Sequence, residues 1–546
     1  MTTTSMSRRE ALALLGGATA LPLMQSLPVK AATPGTLIVA TPYSAKSLFP
    51  AVDQGSAAKA MCVNIFEKLV NFDIDYSVIP SLAESYERSP DGKTVVFKLR
   101  RNAKWHDGTP FTAADVKWFF EDFVLARESR AKTIFDKIGF SQVETPDDYT
   151  VIFRAANGPW DMSWFITLPY VSTIMPRHKL TGVTTEQLQT HEFNTRPIGT
   201  GPWKVQSFNP GETLIYAANQ VYYLGAPRIS KLILRTIAQP QSAMLAYEAG
   251  EVDGLHEWYA NIGLAPQLEK IKAMPKTEVI GYAYYNLIRF IFNYRPEAIA
   301  QYPWLQDINV RKAFAHAIDK ETLVKRAFGG AAVPVADGLF TLTNAQFFNK
   351  DVARYPYDPK LSAQLFDAAG LKAGSNGVRL TLTMPYTSGE TPDVVIQIVA
   401  QMLRQVGIVI APQPMESGAF SSTYWLAPTG WKDIPVTVFS LTPGPSPEGL
   451  TNIYHSAFTP DKGGRNISFY ANPKVDALLD AALVEGDAAR QTKLYKDVQA
   501  MLMDDLVAIP LYQSYLAQVW NTRIGHDPQV SRPTHFFTPY YQVWEK

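Results

Sequence analysis

Apolar and polar positions along this chain alternate in short runs, and the period switches repeatedly between that of a strand and that of a helix. Thr36-Leu37-Ile38-Val39-Ala40 and Val95-Val96-Phe97-Lys98-Leu99 read as strands, the second entered through a Ser89-Pro90-Asp91-Gly92 turn. A helix is expected from Ala57 to Lys68, where Ala58, Cys62, Ile65 and Leu69 fall on one face. Another starts after Thr112. Thr112 can cap it, Asp115 can reach back three residues later, and Phe111 can pack on Val116, with Trp118, Phe119 and Phe123 continuing the apolar side. Helical periods recur at Ile308 to Phe328, Asp358 to Ala369, Asp393 to Val406, Asn472 to Leu483 and Ala488 to Leu506. Strands at Leu380 to Met384, Ile408 to Pro412 and Val436 to Phe439 fall between some of them. This β-α-β rhythm, free of repeats and low-complexity stretches, predicts an α/β architecture.

The first 31 residues break the rhythm. Arg8 and Arg9 precede a short apolar stretch from Ala11 to Leu23, and small residues follow around Ala31 and Ala32. This is the pattern of an export signal, too short to cross a bilayer permanently. Ser7-Arg8-Arg9 resembles the twin-arginine signal carried by proteins that fold before export. Ala11 stands where that pattern has Phe, and an ordinary secretory signal is the alternative. No Cys ends the segment, so lipid anchoring is not expected, and no later apolar run reaches 18 residues. A monomer with no membrane insertion is expected. About 515 residues remain, too many for one core, so two or three domains are predicted.

Charge and chemistry narrow the reading further. The whole chain carries a formal charge of +1, and the part after the signal is near neutral. Nucleic acid and anionic membrane surfaces are therefore poor partners. Cys62 is the only cysteine, which excludes an internal disulfide, and its apolar helical face marks it as a buried thiol. There is no phosphate-cradling loop, dinucleotide fingerprint, zinc helix or Gly-x-Ser-x-Gly turn, so no catalytic residue, cofactor or metal site is assigned. His106-Asp107 sits in a turn rich in Asp and Gly, and His256-Glu257 lacks the second His that metal spacing requires. Aromatics make up 12 % of the residues, which suits either a large core or an aromatic-lined cavity.

A resemblance sharpens these expectations. SPDGKTVVFKLRRNAKWHDGTPFTAADVKWFFE, from Ser89 to Glu121, is similar to the signature region of the family 5 extracellular solute-binding proteins of ABC importers. IPSLAESYE at 79–87, GTGPWKV at 199–205, NQVYYLGAP at 219–227, EAGEVDG at 248–254 and NVRKAFAHAIDKETLVKRAFGGAAVP at 309–334 resemble further family segments, in family order. So do YDPKLSAQLFDAAG at 357–370, VGIVI at 406–410 and SFYANPKVDALLDAA at 468–482.

The resemblance implies an α/β, two-lobed periplasmic-binding-protein fold (type II-like, cluster C) with an extra inserted subdomain. Lobe one would comprise 32–78, 196–299 and 506–546, the subdomain 79–195, and lobe two 300–505. Two strands would cross between the lobes as a hinge, and a ligand in the cleft would favour closure because only the closed form touches it from both sides. The implied partners are a peptide or small-molecule ligand and the membrane permease of an ABC importer, in the periplasm.

Peptide binders of the family hold the ligand ammonium with an Asp after a lobe-two strand. By register Phe439 takes the position of a family Trp and Thr442 that of the Asp, while the nearest acid is Glu448. A buried ammonium without a carboxylate is disfavoured by several kcal/mol as an order of magnitude, so a more neutral ligand is favoured unless Glu448 takes the role. A blocked peptide, a sugar-derived molecule or another small metabolite would fit. Candidate contacts are Tyr43 after the first strand, Tyr424, Trp425 and Trp431 in a loop rich in Pro and Gly, and Phe439, Ser440 and Thr442 on and after the strand. Each aromatic is also a candidate packing residue. A secreted hydrolase, or a ligand-presenting sensor or chaperone on the same fold, are the rival functions.

Overall fold

The computed structural model describes residues 35–526 and 543–546, apart from 54–55, 73–76, 128, 161, 163, 168–172, 330–334, 342–344, 426, 428, 442–445 and 463. The export segment at 1–31 and Thr442 lie outside the described residues, as does the side chain of Trp425.

An eight-stranded mixed sheet organises the chain. Across it run Val436–Leu441, Thr277–Phe292, Ala508–Asn521, Gly254–Leu255, Thr36–Thr41, Lys231–Thr236, Thr213–Ala218 and Trp203–Asn209. Thr36–Thr41 lies parallel to both Lys231–Thr236 and Gly254–Leu255, so the carboxyl ends of three strands open on the same edge. That edge is where open α/β sheets place their ligands.

The two longest strands form the crossing. Thr277 to Ala283 pairs with Tyr515 to Asn521, whereas Leu287 to Phe292 lies between Ala508–Asn521 and Val436–Leu441. The ladder slips between Ala283 and Leu287 and again between Ile288 and Arg289. Such irregularities bend a strand pair and interrupt its bonding, which leaves Tyr284, Tyr285 and Asn286 at a joint.

Apolar side chains separate accordingly. One core gathers residues from Leu37 to Leu234 with Trp520 and Ile524, including the inserted four-stranded sheet of Ala83–Arg88, Thr94–Leu99, Thr150–Ala155 and Phe140–Asp147. The other holds most of the 300–505 block. Met244, Leu264, Leu268 and Ile271 pack with this second core, because Ala260–Leu264 lies against the helix Glu390–Gln405. A small third group, Tyr284, Tyr285 and Leu516, sits at the joint with Trp258 and Tyr282 beside it.

Most expected elements form, with three informative differences. The helix expected over 57–68 stops early, as Ser56–Cys62. Its would-be last turn is taken by the GTGPW segment: Gly201 N donates to Ile65 O at 2.9 Å and Trp203 N to Asn64 O at 3.1 Å. The helix expected over 308–328 is two helices, Ile308–His316 and Lys320–Ala327. Asp319 divides them by capping the second, accepting from Thr322 N at 3.0 Å. The helix expected from Asp393 starts at Glu390 instead, carrying Pro392 in its first turn, where a missing N–H costs nothing. It forms the crossover between the parallel strands Leu380–Thr387 and Ile408–Met415. Asp115 reaches back as expected, accepting from Thr112 N at 3.0 Å.

The shortened helix leaves Glu67 inside. Its carboxylate accepts from the Tyr222 and Tyr223 hydroxyls at 2.6 and 2.7 Å. Burial raises the carboxyl from 4.5 to about 7, outweighing the lowering by those hydroxyls, Thr200 and Arg100. A raised carboxyl contributes stability that is complete below pH 4.5 and lost as pH rises through 7. His106 and His256, held at about 4 and 3 by burial, work the other way below pH 6.5, and Lys68, lowered to about 7, acts above neutrality. The difference between Glu67→Gln and the native chain isolates the carboxyl. Relative to the native chain, the variant should gain on the order of 3 kcal/mol between pH 4.5 and pH 7.5 in chemical denaturation. A pH-independent difference would show that Glu67 titrates normally.

Candidate functional site

At the carboxyl edge of the parallel strands the chain sets an aromatic and acidic wall. Tyr43 follows Thr36–Thr41, and His256, Glu257 and Trp258 follow Gly254–Leu255. The Tyr43 ring meets His256 edge-on at 5.3 Å and lies 6.3 Å from Trp258. Trp258 in turn meets Tyr284 at 5.6 Å, and Tyr284 lies 4.2 Å from Tyr285. The wall therefore runs from lobe one onto the joint. Burial pushes His256 down to about 3, which keeps the imidazole neutral, and its Nδ1 accepts from Trp258 N at 3.2 Å. Burial holds the Tyr43 phenol well above its ordinary range, and the carboxylate of Glu257, itself 1 % exposed, adds to the rise. Tyr43 is thus a neutral hydrogen-bonding group at any physiological pH.

A second aromatic group gathers around the strand Val436–Leu441. Phe439 stacks on Phe420 with ring centres 5.1 Å apart, and Tyr424 lies 5.7 Å from Phe420 and 5.2 Å from Trp431. Tyr424, Phe439 and Ser440 are half-buried, whereas Trp431 is 2 % exposed and forms the floor of the group. The Trp431 backbone is in the left-handed region at φ 65, and its carbonyl accepts from Asn293 Nδ2. Few non-glycine residues adopt that conformation, so the loop is pinned from below. Ser440 donates to Asn286 Oδ1 at 2.5 Å, and Asn286 Nδ2 donates to Ser514 Oγ at 3.3 Å. Ser440 thus ties the lobe-two strand to both crossing strands, where they change register. The Tyr43 group reaches the crossing strands through Trp258 and Tyr284, and the Phe439 group reaches them through the tie of Ser440 to Asn286.

Sequence reasoning passed over Arg289. It pairs across the ladder with Phe439, is 0 % exposed, and holds its guanidinium 5.7 Å from the Tyr454 ring. Burial lowers its proton affinity, with Tyr454 opposing. The signal was present: one Arg inside the apolar run Leu287-Ile288-Arg289-Phe290-Ile291-Phe292. A charge in such a run is expensive to bury and is kept only where the surroundings compensate it. His256-Glu257 was noticed only as an incomplete metal motif. Among the described residues no group of three His, Cys, Asp or Glu side chains is arranged to hold a metal, and no helix is long and apolar enough to cross a membrane.

Comparison with known proteins agrees with this architecture. The family model for bacterial extracellular solute-binding proteins, family 5 (middle), matches residues 77–462. A putative ABC transporter peptide-binding protein of Brucella ovis is 31 % identical over 446 residues, covering 80 % of this chain and 79 % of the relative. The glutathione-binding protein GsiB of Pectobacterium atrosepticum is 27 % identical over 88 % of this chain and 89 % of its own length. The solved oligopeptide-binding protein AppA of Bacillus subtilis, in complex with a nonapeptide, superposes with a TM-score of 0.79 at 22 % identity, over 95 % of this chain and all of that one. The family's members are transport binding proteins rather than enzymes, and they act outside the cytoplasm with a permease as partner. The chain belongs to the family 5 bacterial extracellular solute-binding proteins, and it is the component of an ABC importer that captures a small ligand between two lobes.

Proposed function

We propose that this chain is a monomeric periplasmic protein that captures one small peptide-like solute in the cleft between Tyr43 and Phe439 and hands it, chemically unchanged, to a membrane permease. The observation that carries the reading is the joint itself. Two long strands slip in register at Tyr284 to Asn286, where Trp258 packs on Tyr284 and the neighbouring strand carries Phe439 stacked on Phe420. Tyr43, Tyr424, Phe439 and Ser440 supply the contacts, with Trp431 supporting them, and Trp425 and Thr442 belong to the same proposed set. The lobe division at 32–78, 196–299 and 506–546 against 300–505, with 79–195 inserted, and export through the twin-arginine route, belong to the same reading. The names of the Brucella and Pectobacterium relatives favour a ligand with amide bonds.

Native mass spectrometry of the purified chain, followed by extraction and identification of what it retains, should find one small molecule per chain. Incubation with that molecule should return it intact. Release of a hydrolysis product would replace this reading with an enzymatic one. A chain that retains nothing, and whose scattering curve is unmoved by any peptide mixture, would also end it.

A further inference from the structure

The helix Pro473–Val484 belongs to one apolar core and ends in the other. Val475, Leu479 and Ala482 pack with the 300–505 block, whereas Leu483 is buried in the core that holds the four-stranded sheet. Among the described residues it is the one apolar side chain between 300 and 505 that joins that core. Asp480, Leu483 and Val484 follow the i, i+3, i+4 spacing, so they share one face near the helix end.

That face meets a platform held by backbone bonds. Asn157 N donates to Ile138 O at 2.8 Å and Gly158 N to the same carbonyl at 3.3 Å, while Trp160 N donates to Gly92 O at 2.8 Å. These bonds fasten together the end of the helix Ser129–Ile138, the segment after Thr150–Ala155 and the 89–92 turn. Each part supplies one contact. Lys137 pairs with Asp480, a Cβ at Gly158 would lie 2.8 Å from Val484 Cγ1, and one at Gly486 would lie 3.2 Å from Asp91 O. On its own side Asp480 is backed by His455, whose Nε2 lies 3.2 Å from Asp480 Oδ1.

The contact has the character of an interface that can part. The Lys137 and Asp480 side chains are 31 % and 50 % exposed and Val484 is 40 % exposed, which suits a polar junction between domains better than a core. The rest of the helix is anchored elsewhere, against Ala488–Asp504 and Glu448–Tyr454.

We propose that this contact is an ionic latch. It forms when the two cores come together around a solute and parts when they separate, so the charges on Lys137 and Asp480 set how long the solute is held. The inference rests on the capture reading above and adds a determinant of release outside the Tyr43 and Phe439 groups. Because both charges are partly exposed, salt screens their attraction, and retention should shorten as ionic strength rises.

The double variant Gly158→Cys, Val484→Cys tests the parting directly. A Cβ at Gly158 would lie 3.1 Å from Val484 Cβ, and the substitution at 484 removes the methyl that crowds the site. Disulfides join Cβ atoms roughly 3.5–4.5 Å apart, so a small adjustment closes the bond. Cys62, the only native cysteine, is buried. The reduced variant would be incubated with a mixed di- and tripeptide library, oxidised, dialysed and read by native mass spectrometry. The oxidised chain should keep its peptide about tenfold longer than the reduced chain, or more, and a sample emptied before oxidation should take up none. Without the added cysteines, Lys137→Glu should shorten retention about fivefold, and adding Asp480→Lys should restore it. Equal retention and uptake in the oxidised and reduced chains would make the contact permanent and overturn the proposal. So would cysteines that fail to join, or a Lys137→Glu effect that Asp480→Lys leaves in place. If wild type takes up no peptide from the library, scattering decides the latch, because the reduced double variant expands relative to the oxidised one only where the contact parts. The native mass spectrum of the co-purified solute then decides separately whether capture itself stands.

Discussion

Alanine at Gly199 should destabilise the fold by on the order of 3 kcal/mol or more, although it adds a single methyl group. A Cβ at this position would lie 1.8 Å from Ile65 O and 2.6 Å from Ile65 C, both backbone atoms that no rotamer change can move. Gly199 is held there from two sides. Its carbonyl accepts from His106 N at 2.8 Å, and its own N–H donates to His106 Nδ1 at 3.2 Å. Two residues on, Gly201 N donates to the same Ile65 carbonyl, and Gly201 O lies 3.0 Å from His106 Nε2. Overpacking a core costs about 1–3 kcal/mol when side chains can yield, and each displaced backbone bond adds roughly 1 kcal/mol. Here the backbone itself must yield, and with it the contact between the segment after the helix Ser56–Cys62, the signature segment and the start of the strand Trp203–Asn209. Chemical denaturation of Gly199→Ala would measure the loss, and a change within 0.5 kcal/mol would mean the segment shifts freely.

The same contact explains what could and could not be read from the residues. GTGPW was recognisable as a string, but nothing local says that its backbone bonds to Asn64 and Ile65, far earlier in the chain. The helical period from Ala57 therefore predicted six more residues of helix than form. Where local chemistry decides, as with Thr112 and Asp115 or the caps at Asp358 and Asn472, pattern and structure agree. The crossing strands failed for the opposite reason. Thr277–Phe292 and Ala508–Asn521 are buried on both faces over much of their length, which removes the alternation that marks a strand. The joint lies where their ladder slips, a property of pairing that neither strand shows alone. Tyr43 was a candidate from its place after the first strand, and Phe439 from its register with the family strand. Arg289 and Glu257 were not, because their meaning comes from being buried. Composition cannot tell a solvated polar face from an enclosed one.

Tryptophan at Gly158 should leave the chain folded and yet prevent the lobes from meeting. Gly158 follows the strand Thr150–Ala155 and lies against the end of the helix Pro473–Val484. A Cβ there would come within 2.8 Å of Val484 Cγ1 and 3.1 Å of its Cα. The contact continues on both sides. Lys137 pairs with Asp480, Gly486 approaches the Asp91 carbonyl, and Leu483 is buried among the side chains of the other lobe's core. The three atoms nearest a Cβ at 158 all belong to Val484, so the expected effect of an indole falls first on this contact, and thermal unfolding of the unliganded variant would check that the chain still folds. In the form described here it must push the helix end away. Ligand affinity depends on contacts that exist only when both walls are in place, and a substituent that disfavours that state lowers affinity by the same free energy. A tenfold weaker binder, about 1.4 kcal/mol, is the minimum expected. Small-angle scattering of Gly158→Trp should then stay at the open value when the wild-type ligand is added, while the wild-type curve contracts. If the variant contracts as wild type and retains its ligand through purification, the pressing of Val484 on Gly158 has no part in closure, and the joint at Tyr284 to Asn286 must bring the lobes together by another path.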